Sequence, residues 1–183
     1  DNIHFQLTDE LLEKVELYIH SKDDKELKNL LNEFHYADIA EILDELNLDD
    51  AVYLIKLLDS ETTSDVLTEL DEDTREKVLQ NLSDKEIAEE IEELDTDDAV
   101  DIIAELPENR QLNVISKIED EEHKSEIKEL LKYPDDTAGG LMAKELVKVY
   151  ETWTVAGCLR RIRGQAKDVT RVHSIYVVDK KEK

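Results

Sequence analysis

The 183-residue sequence holds four glycines, two prolines, one cysteine and 5% aromatic residues. Basic residues are also scarce: 23 Lys and Arg stand against 48 Asp and Glu, for a net charge of −25. Each shortage excludes something. A lone Cys158 leaves no intrachain disulfide framework and fits a reducing compartment. The negative charge argues against nucleic acid or an anionic membrane as partner, because both are polyanions, and favours cations or basic partners. No apolar run approaches the roughly 18 residues that span a bilayer, and no signal peptide opens the chain, so it reads as a soluble piece. No glycine precedes Gly139, and Pro107 and Pro134 are the only prolines. That composition excludes a loop-rich fold and predicts nearly continuous helix with tight polar turns. The hydrophobic fraction of 40% is enough for a core, which excludes wholesale disorder despite the charge.

The charge is unevenly placed. Residues 1–136 hold 43 acidic and 13 basic residues, a net of −30, whereas residues 137–183 hold 5 acidic and 10 basic, a net of +5. All four glycines fall in the second part. Asp135-Asp136-Thr137-Ala138-Gly139-Gly140 marks the boundary, and Pro134–Gly140 reads as a hinge. The sequence therefore predicts two modules: an acidic helical one over 1–136 and a small basic mixed one over 137–183.

The acidic module is a repeat of period 24. Leu46, Leu70, Leu94 and Ile118 form one column. Leu43, Leu67, Ile91 and Ile115 form a second, and Ile55, Leu79, Ile103 and Ile127 a third. The fourth is Leu58, Leu82, Leu106 and Leu130. Within a unit the first two columns lie three apart, as do the last two, which is the spacing of one helix face. Acidic breaks such as Asp71-Glu72-Asp73 and Asp95-Thr96-Asp97-Asp98 separate the pairs. Each unit is thus a hairpin of two short helices, marginal alone but stable when stacked. The expected fold is mainly α: a right-handed superhelix, or solenoid, of ~24-residue helical hairpins, followed by a small incomplete α/β unit. The first ~40 residues keep a looser phase, from a helix start at Thr8-Asp9, as a capping unit would. Ser83-Asp84-Lys85-Glu86 is a capping box, and Asp73-Thr74-Arg75-Glu76 an Asp variant of it. Asp49 and Asp97 stand where second helices should begin.

In the basic module Leu146–Tyr150 reads as a strand. Thr152 or Thr154 caps a helix with Val155, Leu159 and Ile162 on one face. Ser174–Asp179 reads as a second strand, buried on at least one face. A β-α-β unit alone has too little core to stand independently, so truncation is expected here.

Asp136-Thr137-Ala138-Gly139-Gly140-Leu141-Met142, the strand after it, Thr154-Val155 and Ile175-Tyr176-Val177-Val178-Asp179 together resemble the start of the cytosolic CBS domains of MgtE-type magnesium transporters. The acidic repeats, including Leu94-Asp95-Thr96-Asp97-Asp98-Ala99-Val100-Asp101, look like the N-terminal domain of that family. Ala143-Lys144 departs from the family's usual Thr-Pro or Thr-Thr. The resemblance implies a cytosolic magnesium sensor on the cytoplasmic face of the cell membrane. It would belong to a homodimeric multi-pass protein whose partners are its own CBS and transmembrane domains. High magnesium would bridge acidic surfaces and close the pore; low magnesium would leave carboxylates to repel.

The residues permit this. Magnesium takes oxygen ligands, keeps several waters and often uses one or two carboxylates per protein surface; calcium and manganese suit the same oxygens. With Ile102, Ile103 and Leu106 inward, Asp98, Asp101 and Glu105 share the opposite helix face, and Asp97 joins through Asp101. The repeat column of Asp101 holds Tyr53, Lys77 and Ser125 elsewhere, so repetition alone does not demand an acid there. The candidate ligands are Asp97, Asp98 and Asp101, with Asp95 beside them. Asp65, near Glu61 and Glu69 one repeat earlier, offers a second carboxylate to a shared ion.

Blander readings compete at several positions. Asp49, Asp73 and Asp97 recur at one repeat position and suit capping and the helix dipole. Asp95-Thr96-Asp97 lacks the glycine an EF-hand loop needs. Gly139 and Gly140 either offer carbonyls to an ion or make a flexible turn. His4, His20, His35, His123 and His173 show no metal-ligand spacing. Cys158 reads as a core residue. Arg160, Arg161, Arg163 and Arg171 suit phosphates, a dimer contact or the acidic module. No nucleophile motif, P-loop or pocket signature suggests an enzyme. The competing class is a helical-repeat interaction scaffold with an acidic docking face and no metal role, which would need an exposed apolar or aromatic hot spot.

Overall fold

The computed structural model describes residues 5–134, 136–145, 147–165 and 175–181. His4, Asp135, Leu146, Arg171, His173 and Ser174 lie outside the described residues. Among the described residues the chain forms eleven helices and two strands. It divides into two compact units. One comprises Asp1–Leu94 with Asp101–Lys124, the other Asp95–Val100 with Ser125–Lys183.

The first unit opens with α1 (Asp9–Ser21) and α2 (Asp24–Leu31). Thr8 caps α1 by accepting from the Leu11 amide at 3.2 Å. Two interleaved series follow along the chain, of which α8 and α10 are divided between the two units. Helices α3 (Tyr36–Glu45), α5 (Ser60–Glu69), α7 (Asp84–Ile91) and α9 (Glu108–Lys117) begin 24 residues apart. Helices α4 (Leu48–Leu57), α6 (Glu72–Asn81) and α8 (Thr96–Ala104) keep the same interval, with α10 (Glu121–Leu130) one residue later. Stacking follows the series: α3 on α5, α5 on α7, α7 on α9, and α4 on α6. The helical-repeat fold read from the 24-residue period is therefore the observed one. Of its sixteen column residues, fifteen are buried and Leu58 is half-buried. Each buried one contributes about 1.5–3 kcal/mol by leaving water.

The scarcity of glycine has a structural reason. Helices commonly end on a left-handed glycine. Helices α3 to α6 instead end on an extended aliphatic residue: Leu46, Leu58, Leu70 and Leu82 all have ψ near +150°. The next residue is already the following N-cap, namely Asn47, Asp59, Asp71 or Ser83. One buried side chain thus both ends a helix and fills the core. Among the described residues the single positive-φ position outside glycine is Lys22, after α1.

Caps correct part of the expectation. Ser83 forms its box: its hydroxyl accepts from the Glu86 amide at 3.2 Å, and the Glu86 carboxylate accepts from the Ser83 amide at 2.7 Å. The Asp73 box does not form, because α6 starts at Glu72 and places Asp73 inside the first turn. Likewise Asn47 caps α4, with Asp49 in the first turn. The helices begin two residues earlier than those acids suggest, because the buried C-cap leucine fixes where the turn must close. Asp49, Asp73 and Asp97 favour the helix dipole from within the first turn rather than capping.

The second unit carries the β-α-β element. Strands β1 (Val147–Tyr150) and β2 (Ile175–Val178) pair in parallel, Val147 opposite Ile175 and Tyr150 opposite Val178. Helix α11 (Val155–Gln165) connects them and packs on β1. Thr154 rather than Thr152 caps it, accepting from the Gly157 amide at 3.2 Å. Val147 and Val149 are buried. The burial expected of β2 is not met: Ile175, Tyr176 and Val177 are exposed, since the helix lies on the other strand. Val155 and Leu159 are also exposed, and Cys158 is half-buried rather than core.

Candidate functional site

Helix α8 holds the acidic turn. Its inward residues Ile102, Ile103 and Leu106 are buried as the spacing predicts. Asp98 and Asp101 are exposed on the outer face; Asp95 and Asp97 are half-buried. Asp65 sits elsewhere, half-buried in α5. There it lines a cleft of about 520 Å³ with Asp59, Glu61, His35 and Tyr36. Among the described residues, no three His, Cys, Asp or Glu side chains converge as a metal cage would require.

Glu105 departs from the expected stripe. It pairs with Arg75 through Nη2 at 2.5 Å and Nε at 3.0 Å. The Arg75 Nη1 also donates to the carbonyls of Leu67, Thr68 and Leu70 at 3.2–3.4 Å, closing the end of α5. The Glu105 hydrogen bond raises the Arg75 pKa, with the charges of Glu72 and Asp101 adding to it. Arg110 plays a similar part for α6: it donates to the Leu79 and Leu82 carbonyls and pairs with Asp84 at 2.8 Å. Arg75 and Arg110 are the only arginines among the first 136 residues. Both serve as clamps, since a planar guanidinium reaches a carboxylate and several carbonyls at once.

The start of α8 is held within the second unit. Thr96 is fully buried. Its amide and its hydroxyl each donate to Glu145 at 3.0 Å, one to each carboxylate oxygen. Its Oγ1 also accepts from the Lys144 amide at 2.8 Å. Lys144 in turn pairs with Glu129 at 2.9 Å, which raises the lysine pKa. Sequence reasoning missed this arrangement. The signal available was Glu145 itself, one of only five acids in a basic stretch.

Two further features bear on the sequence expectations. A β-carbon at Gly139 would meet the Tyr133 ring at 2.5 Å, so close packing is what demands glycine there. Thr152, Trp153, Thr154, Gly157, Arg160 and Arg161 line an open cleft of about 570 Å³ beside α11. Two of the arginines singled out for phosphate thus face one space.

Residues 34–136 match the family described as the MgtE intracellular N domain. The chain belongs to that family. A magnesium transporter MgtE from Thermus thermophilus is 48% identical over 52 residues, a stretch covering 28% of this chain and 12% of that protein. The crystal structure of the soluble part of a magnesium transporter superposes with a TM-score of 0.80 at 25% identity, covering 94% of this chain and 68% of that one. The cytosolic domain of the Mg2+ channel MgtE in complex with ATP gives 0.82 at 30% identity, covering 93% and 69%. The MgtE N-domain match ends at 136, so the β-α-β element enters the likeness through these two structures. Among the described residues no helix is long and apolar enough to cross a membrane.

Proposed function

We propose that this chain is the Mg2+-sensing regulatory region of a magnesium transporter, working at the cytoplasmic face of the membrane in a homodimeric protein. Its carboxylates bind Mg2+ and bridge the N domain, the CBS domains and the membrane part, closing the pore when intracellular magnesium is high. Residues 1–136 are the sensing repeat and 137–183 the first half of a CBS domain. No catalysis belongs to it. One observation carries the reading: α8 in an MgtE N domain presents Asp98 and Asp101 to solvent beside Asp97, while its other face is locked in the core.

The donor set fits the ion. Magnesium needs oxygen, few protein ligands and room for its own waters, which an open carboxylate face provides. Asp97, Asp98 and Asp101 are the primary ligands, with Asp95 at the helix start. Asp65, on α5, supplies a second carboxylate to a shared ion. With the ion gone, facing carboxylates repel, and that repulsion opens the assembly. Calcium, with looser geometry, or manganese would occupy the same oxygens.

Small-angle scattering across a magnesium titration tests this, with sodium at matched ionic strength and calcium in parallel. The radius of gyration should fall with magnesium and not with sodium. Asp97→Asn with Asp101→Asn should flatten the fall; undiminished compaction in that variant removes those two assignments. A chain extended through a complete CBS pair that still ignores magnesium would favour the helical-repeat scaffold with an acidic docking face.

A further inference from the structure

Glu90 occupies a position that the repeat reserves for aliphatic side chains. Stepping by 24 residues, its column holds Ile42, Val66 and Val114, each with no exposed surface. Glu90 lies in the last turn of α7 and reaches across the α5–α7 seam, where the Ser60 hydroxyl approaches its Oε2 at 2.8 Å. The same hydroxyl lies 3.4 Å from the Glu89 carbonyl. One hydroxyl proton cannot serve both acceptors.

We propose that Glu90 is a proton-responsive group of the α5–α7 seam. Protonated, its carboxyl donates to Ser60 Oγ, and Ser60 donates to the Glu89 carbonyl, so the seam is neutral and every group is satisfied. Ionised, Glu90 accepts the Ser60 hydrogen bond in place of the Glu89 carbonyl and carries a charge in an aliphatic column.

The surroundings disfavour the charge. Burial pushes the Glu90 carboxyl up to about 7, with the Ser60 hydrogen bond opposing and the Glu89, Glu93 and Asp59 charges adding to the rise. Glu89 and Glu93 lie on its own stretch of chain, and Asp59 stands at the head of α5. The amide at that head that would most favour an anion already donates to Asp59, from Thr62 at 3.0 Å. On α9, which packs on the other side of α7, Arg110 is held by Asp84, while Glu108 and Lys117 are exposed. Glu90 is half-buried, so water solvates its carboxylate only in part, and protonation removes the remaining cost.

The sign follows from linkage. The folded value lies above the ordinary 4.5, so the stabilisation is complete below pH 4.5 and is lost as pH rises through about 7. The seam is therefore tightest in mildly acidic solution and loosens across the neutral range.

The test uses the 183-residue chain without substitution first. Carboxyl-detected NMR should give Glu90 a titration midpoint near 7; a midpoint near 4.5 overturns the proposal. Thermal unfolding at pH 6 and pH 8 supplies the second reading. The melting temperature should fall by a few degrees between them. Glu90→Gln should remove most of that fall, and Glu90→Val, restoring the column, should raise the melting temperature at pH 8. A fall that persists undiminished in Glu90→Gln assigns the pH response to other groups and overturns the proposal.

Discussion

The two halves of this chain treat their aliphatic residues differently. In the repeat, fifteen of sixteen column positions are buried. Among the described residues of the β-α-β element, Val155, Leu159, Ile175 and Val177 are exposed, while Val147 and Val149 are strongly covered. The difference is architectural rather than compositional. A helical hairpin in a stack has a like neighbour on each side, so its apolar stripe finds a matching one. Among the described residues, strand β2 pairs with β1, and α11 packs on β1. Charge separates the halves in the same way: a net of −30 over residues 1–136 and +5 over 137–183.

The largest test of this contrast is truncation in each half. Leu67, buried between stacked helices, should cost about 2–5 kcal/mol as Leu67→Ala, by lost transfer energy plus a residual cavity. Val177→Ala, on the exposed strand, should stay within about 0.5 kcal/mol. Urea unfolding of both variants gives the comparison directly. Equal losses would mean that the β-α-β element owes more stability to its apolar residues than their exposure allows.

Legibility also divided along this line. The repeat could be read because periodicity records the packing twice: four columns name the core, and their spacing names the helices. Leu43, Ile103 and Leu106 needed no other information. The acidic turn was legible as a face, since Asp98 and Asp101 are outward by the same arithmetic. What periodicity could not supply were contacts between residues far apart in sequence. Glu105 looked like a member of the acidic stripe until Arg75, 30 residues earlier, claimed it. Thr96 and Glu145 are 49 residues apart, and no local pattern joins them. Helix starts were misjudged for a local reason: several acids stand at each turn, and only the buried leucine before them decides which one caps.

The next effect concerns the clamps. Arg75→Ala strands a half-buried Glu105 and frees three carbonyls at the end of α5, so it should cost about 3 kcal/mol. Arg75→Lys should recover only part of that loss, because an ammonium cannot copy the planar fork. Thr96→Val tests the corresponding tie in the second unit. It keeps the shape and the amide bond while removing the hydroxyl that bonds Glu145, so about 1–2 kcal/mol is expected. Denaturant midpoints read both. A Thr96→Val loss as large as that of Arg75→Ala would show that one buried threonine secures its unit as firmly as a guanidinium clamp does.

The smallest effect separates caps of similar chemistry in the two halves. Ser83→Ala removes the hydroxyl that accepts from the Glu86 amide and should cost about 1 kcal/mol. Thr154→Ala removes the equivalent bond from α11, but that helix is only partly packed, so the loss should appear as local fraying. Ser83 carries a pH signature that Thr154 lacks. Its amide and hydroxyl, with Lys56 adding, hold the Glu86 carboxyl down at about 2, against an ordinary 4.5. A lowered carboxylate contributes stability above pH 4.5 and loses it as pH falls towards 2. Glu86→Gln should therefore shrink the difference in unfolding midpoint between pH 5 and pH 3. Amide hydrogen exchange supplies the spatial reading. Ser83→Ala should speed exchange in α7 and in the helices stacked on it, because a stack transmits the loss to its neighbours. Thr154→Ala should speed exchange in α11 alone; acceleration spreading as widely there would erase the distinction between a stacked helix and a one-sided one.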